Sequence, residues 1–162
     1  MSSKLAWISP ALIGLVTLRL ALGAFYALAV PPWESYDEPG HFQYARYIAL
    51  TGHLLDPEDP EAQRIWSRFQ PPLYYVLVAP ALLPFDLGEH AFEPELYPYF
   101  TSGDVGLNYA VASASTPSDR SQLAALTAMR LAGVVISTIS VIFMYLAARR
   151  LWPQSPWGAL AA

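Results

Sequence analysis

Two long apolar runs bracket a middle stretch that holds every acidic residue of the chain. Leu5 to Val30 is apolar apart from Pro10 and Arg19, and Leu131 to Ala148 (LAGVVISTISVIFMYLAA) carries no charge. At a rise of about 1.5 Å per residue, such runs can form helices that cross a hydrocarbon core of about 30 Å. All 13 acidic residues lie between Glu34 and Asp119, whereas the flanks hold Lys4, Arg19, Arg130, Arg149 and Arg150. Apolar, basic ends around an acidic middle predict an extracytoplasmic loop between membrane spans.

Charge also orients the spans. Lys4 and the pair Arg149-Arg150 favour the cytoplasmic side, which leaves both ends of the acidic loop on the outer face. The expected product is a multi-pass protein of the plasma membrane with a cytoplasmic N-terminus. Ala27-Leu28-Ala29 resembles a signal-peptide cleavage site, but the length of the run and its Arg19 favour a retained anchor. An arginine inside a span costs about 2.5–3.5 kcal/mol if it meets lipid, so Arg19 is expected to face protein or a wet cavity.

The predicted organisation is therefore all-α and membrane-integral. A transmembrane helix over 1–30 leads into an extracytoplasmic loop over 31–122, followed by a second transmembrane helix over 123–150. Residues 151–162, ending in Trp157-Gly158-Ala159-Leu160-Ala161-Ala162, read as the start of a further membrane helix, as if the architecture were truncated there. Within the loop, juxtamembrane helices are expected over about 37–52, 62–69 and 71–85. Pro39 suits a first turn and Gly52 a helix end, and Pro80 with Pro84 make 71–85 short for a crossing. His41, Tyr44, Ala45 and Ile48 share one face of the first of these helices, whose aromatics suit a headgroup level. Arg64 and Arg68 share a face of the second. Residues 86–121 lack periodicity and read as a long irregular excursion.

Apolar residues make up 54% of the 162 residues and charged residues 14%, a balance unlike that of a soluble domain. The absence of cysteine excludes disulfides and thiolate metal sites. No basic stripe or phosphate-loop glycine pattern is present, so a nucleic-acid partner is not expected. The residues that carry chemistry gather in the loop. Asp37 and Glu38 are adjacent carboxylates soon after the first span, and His41 follows one helical turn later. An ionised Asp just outside a bilayer can take a proton from a hydroxyl. It can equally cap the helix that starts there, a role Asp fills well. A divalent metal on Asp37, Glu38 and His41 has no obvious further ligand, and no other cofactor is expected.

PPWESYDEPGHFQYARYIALTGHL, QPPLYYVL and MRLAGVVISTISVIFMYLAARRL, in that order, resemble the N-terminal part of GT-C fold glycosyltransferases. The similarity is to family 39, the dolichyl-phosphate-mannose–protein mannosyltransferase-like enzymes, of bacterial type. The resemblance implies sugar transfer from a polyprenyl-phosphate donor in the membrane to an acceptor on the outer face. It assigns Asp37 as catalytic base or acceptor-positioning group, with Glu38 as its partner. The residue before Pro-Pro, basic in many relatives, lies near the donor phosphate. Here it is Gln70, which offers a hydrogen bond but no counter-charge. Arg130 matches the arginine that opens the next span, and His41 falls within the same candidate substrate site. Relatives carry many more spans, so the remaining helices of a full-length protein are expected partners, and isolated activity is not expected.

Two readings of other classes stand beside this one. A small membrane scaffold would use the acidic loop to bind a partner. A transporter piece would use Arg19 as a coupling charge, although no inverted repeat supports it.

Overall fold

Proline is tolerated at the first position of a helix, where its missing N–H would have no partner. Pro10 takes that place in α1 (Pro10–Ala29). The computed structural model describes residues 9–33, 37–89 and 117–152. Among these, every regular element is helical. After α1 come α2 (Glu38–Thr51), α3 (Pro60–Arg64), a 3₁₀ turn at Trp66–Phe69 and α4 (Leu73–Val78). A second 3₁₀ turn, Ala79–Leu82, extends α4, and α5 spans Pro117–Leu151. The chain divides into two compact units, Met1–Ala27 with Leu131–Ala162, and Leu28–Arg130.

In the first unit, α1 meets the C-terminal part of α5. Pro10–Ala29 and Ser118–Leu151 are both long and apolar enough to cross a membrane, yet only 17% and 22% of their apolar windows are buried. A core helix in water hides its apolar face, whereas Phe25, Tyr26, Phe143 and Met144 point outward here. The two helices touch through small and polar groups. The Arg19 guanidinium donates to the Ser137 hydroxyl, which itself donates to the Val134 carbonyl at 2.9 Å. Arg19 thus faces protein, as expected of a charge in an apolar run. The Ser9 and Tyr145 hydroxyls bond each other further along. A Cβ added at Gly23 would lie 2.7 Å from Val134 Cγ1, so this glycine permits the close approach of the helices.

The second unit is built around α2. Pro39 lies in its first turn, and Gly52 ends it in the left-handed region at φ 70°, its N–H donating to the Ile48 carbonyl at 2.8 Å. The helix is therefore bounded by the punctuation its sequence carries. It buries Phe42, Tyr44, Ala45, Arg46 and Tyr47, and packs against α4 and both 3₁₀ turns. The core combines these with Trp33, Tyr75, Val78 and Leu82. Trp33 and Phe42 meet edge to face at 5.3 Å. The aromatics of α2 thus line the interior of this unit, a correction to the expectation that they lie at a headgroup level. Burying them removes more apolar area from water than a surface helix would.

Arg46, one of the few basic groups within the acidic middle, is almost fully buried. Its Nε donates to the Leu87 carbonyl at 2.9 Å, Nη2 to the Gly88 carbonyl at 2.6 Å, and Nη1 to Glu61 at 3.0 Å. A buried guanidinium is tolerated only with such partners. Here they pin residues 87–88 and α3 to α2.

Several boundaries differ from the expected ones. The helix anticipated over 62–69 is two pieces, α3 and the turn Trp66–Phe69, because Ile65 adopts an extended conformation between them. Arg64 and Arg68 consequently do not share one helix. α3 also starts earlier than expected, since Asp59 accepts the Glu61 N–H and Pro60 follows it. The segment anticipated over 71–85 is helical only from Leu73 to Leu82. The last helix begins at Pro117, ahead of the expected 123, so 117–121 belong to α5 instead of the irregular excursion. The rest of that excursion (90–116), His90, and residues 153–162 with their expected further helix lie outside the described residues.

Candidate functional site

The start of α2 brings the sequence-derived candidates into two groups, both inside the second unit. Asp37 occupies the N-cap position, but with φ −95° and ψ −9°, and its side chain makes no capping bond. An N-cap residue normally adopts an extended conformation, from which its oxygen reaches the N2 or N3 amide. The cap-only reading of Asp37 therefore lacks its defining contact. Its carboxylate lies instead 3.2 Å from His41 Nε2, one turn along the helix. The Asp37 side chain is 53% exposed and that of His41 24%.

The other ring nitrogen of His41, Nδ1, lies 2.7 Å from the Tyr75 hydroxyl, which donates to Gln70 Oε1 at 2.9 Å. Gln70 is placed by the prolines after it, being extended at φ −80° and ψ 151°, as residues ahead of proline prefer. Its N–H donates to the Ser67 carbonyl, and the Ser67 hydroxyl donates to the Gly40 carbonyl at 2.7 Å. Three residues singled out in sequence, Asp37, His41 and Gln70, thus belong to one hydrogen-bonded chain that passes through Tyr75.

Tyr75 itself is almost fully buried, and its ring stacks on buried Tyr44 with centroids 3.9 Å apart and planes 15° apart. The His41 ring also lies nearly parallel to it, with centroids 5.7 Å and planes 22° apart. Burial pushes the Tyr75 phenol from its ordinary 10.0 up to about 12, against the opposing effect of a hydrogen bond with Ser67. The hydroxyl therefore keeps its proton at neutral pH. Tyr75 lies within QPPLYYVL and was not among the expected site residues. No local pattern marks it, because its partner His41 is 34 residues away.

Glu38 and Arg130 form the second group. Arg130 Nε donates to Glu38 Oε1 at 2.6 Å and Nη2 to Oε2 at 2.8 Å, a two-pronged pair whose side chains are 13% and 12% exposed. Arg130 also donates to the carbonyls of Val30 at 2.7 Å and Pro31 at 3.1 Å. Glu38 Oε2 accepts the Trp33 N–H at 2.8 Å. Trp33 sits in the left-handed region at φ 67°, a conformation that costs a bulky residue about 1–3 kcal/mol, and it is fully buried. Glu38 and Arg130 together hold the segment 30–33 in this conformation. Such a fork suits carboxylate and guanidinium geometry.

Asp37 and Glu38, adjacent in sequence, thus face different partners. Among the described residues no three acidic or histidine side chains gather as a metal site. The arrangement offers a half-exposed carboxylate held by an imidazole, with a buried tyrosine behind it. Chemically it can accept a proton from, or orient, a hydroxyl presented at Asp37. No protein-family model, curated protein or solved structure matches the chain.

Proposed function

We propose that this chain is the N-terminal portion of a membrane glycosyltransferase that uses a polyprenyl-phosphate sugar donor, with Asp37 as the base at the acceptor site. The observation that carries the reading is the Asp37 carboxylate: half exposed, unused as a helix cap, and held at 3.2 Å by His41. In the transfer step an acceptor hydroxyl gives its proton to Asp37 while its oxygen attacks the anomeric carbon. The glycosidic C–O bond to the phosphate breaks, and the polyprenyl phosphate leaves with the electron pair. Charges and atoms balance without a cofactor. Two helices long and apolar enough to cross a membrane support a lipid-borne donor. The ordered resemblance of the Asp-Glu, Gln-Pro-Pro and Arg-Leu elements to family 39 enzymes of GT-C fold supports the reaction class. In this reading the protein is a multi-pass protein of the plasma membrane, with Gln70 near the donor phosphate. Glu38 and Arg130 hold the segment 30–33 that leads into the first turn of α2.

The test is transfer from radiolabelled polyprenyl-phosphate mannose by the full-length gene product and its Asp37→Asn variant. Asparagine keeps the carboxamide oxygen that His41 Nε2–H can reach but cannot take up the proton. Removal of a general base costs about 10²–10⁴ in rate. Folded yield should be unchanged. Turnover close to wild type in Asp37→Asn overturns the assignment and favours the scaffold reading, in which the loop only binds.

A further inference from the structure

We propose that Tyr75 is a positioning residue for Asp37, acting through His41; this rests on the glycosyltransferase reading above. An aspartate carboxylate that is half exposed can rotate among several staggered positions, and only one of them points at a given acceptor. His41 Nε2 holds it here, and that hold is no better fixed than the ring that carries it. The ring is fixed twice from the same residue. Tyr75 Oη holds Nδ1 at 2.7 Å, and the phenol face lies nearly parallel to the imidazole at 22°. Tyr75 is in turn immobilised by its stack on Tyr44 and by Gln70 Oε1. This path passes order from the buried core to the half-exposed carboxylate.

With the Tyr75 hydroxyl donating to Gln70, Nδ1 must carry a proton to donate to Tyr75, and Nε2 a second one to reach Asp37. With the Gln70 amide turned about, Tyr75 donates to Nδ1 and only Nε2 carries a proton. Both arrangements place the Nε2 proton toward Asp37. The phenol's resistance to ionisation keeps a proton in the chain throughout the physiological range. Tyr75→Phe removes the hydroxyl's bonds to His41, Gln70 and Ser67 while retaining the ring and its packing on Tyr44.

The experiment has two arms on the full-length gene product in phospholipid nanodiscs. In the first, ring-¹⁵N-histidine spectra are recorded for wild type, Tyr75→Phe and Asp37→Asn, with His41→Gln to assign the His41 signal. The His41 nitrogen signals should shift in both variants, and the Nε2 proton should exchange faster in Tyr75→Phe. A His41 signal indifferent to Tyr75→Phe overturns the proposal whatever the activity. In the second arm, transfer from polyprenyl-phosphate mannose should lose about tenfold in kcat in Tyr75→Phe with KM little changed, since misplacing a reacting group by about 1 Å can cost up to 10²-fold. The losses of Tyr75→Phe and Asp37→Asn should not multiply in the double variant, because one acts through the other. A KM effect alone, or fully multiplying losses, overturns the positioning role. A wild-type protein that transfers nothing overturns the glycosyltransferase reading instead, and the ring spectra then decide by themselves whether Tyr75 holds His41 toward Asp37.

Discussion

Single side chains in the loop unit behave according to their surroundings more than to their type. Tyr75 keeps its phenol protonated up to about 12 because the ionised form would be buried. A group whose folded pKa is raised contributes stability that is complete below its ordinary 10.0 and is lost as pH rises toward the folded value. Phenolate absorbance followed to alkaline pH should therefore show late-titrating tyrosine, with a late amplitude one tyrosine smaller in Tyr75→Phe. An unchanged late amplitude contradicts this. Arg46 is the opposite case, a charge kept in the interior by three acceptors. Replacing it with methionine fills much of the volume but strands the Leu87 and Gly88 carbonyls, and should cost about 3 kcal/mol in denaturant unfolding. A loss below about 1 kcal/mol would mean that water reaches those carbonyls. Sequence patterning placed Arg46 correctly on a helix but could not foresee its burial. Periodicity marks an apolar face, and a lone arginine in FQYARYI reads as polar whether or not acceptors await it.

Among the elements, α2 was the most legible, because its ends carry their own chemistry in Pro39 and Gly52. Its partners were less so. Glu38 and Asp37 are neighbours in the first turn, yet Glu38 turns toward Arg130 and Asp37 toward His41. The two carboxylates should answer substitution differently. Glu38→Gln weakens a desolvated two-pronged pair, and Arg130→Lys replaces a planar fork with a point charge. Each should lower stability by about 3 kcal/mol and reduce folded yield, whereas Asp37→Asn should leave both nearly unchanged. The measurement is thermal unfolding in detergent for all three variants. Equal stability of Glu38→Gln and Asp37→Asn would remove Glu38 from its supporting position. The break at Ile65 and the early start of α5 at Pro117 escaped the pattern for a simpler reason. Propensity does not resolve a one-residue extended link, and an N-terminal Pro-Ser-Asp can open a helix or a turn.

Over the whole molecule, the two apolar helices and the acidic middle were readable from composition alone, since hydrocarbon length and charge asymmetry leave few alternatives. They yield a direct topological expectation in a chain without native cysteine. Glu58→Cys should react with a membrane-impermeant thiol reagent in intact cells, and Arg150→Cys only after permeabilisation. The reverse pattern would invert the protein in the membrane and place Asp37 on the cytoplasmic side. What composition could not reveal is which distant residues complete the loop unit, and the Glu38–Arg130 pair carries a consequence in time. The two residues are 92 positions apart. At a synthesis rate of about 5–20 residues per second, Glu38 leaves the ribosome roughly 5–20 s before Arg130. During that interval Glu38 can reach the Trp33 N–H, but the guanidinium that orients this carboxylate and binds the Val30 and Pro31 carbonyls is missing. The loop unit reaches its full set of contacts only once the first part of the second long helix has been translated, so completion of its fold is coupled to the emergence of that helix.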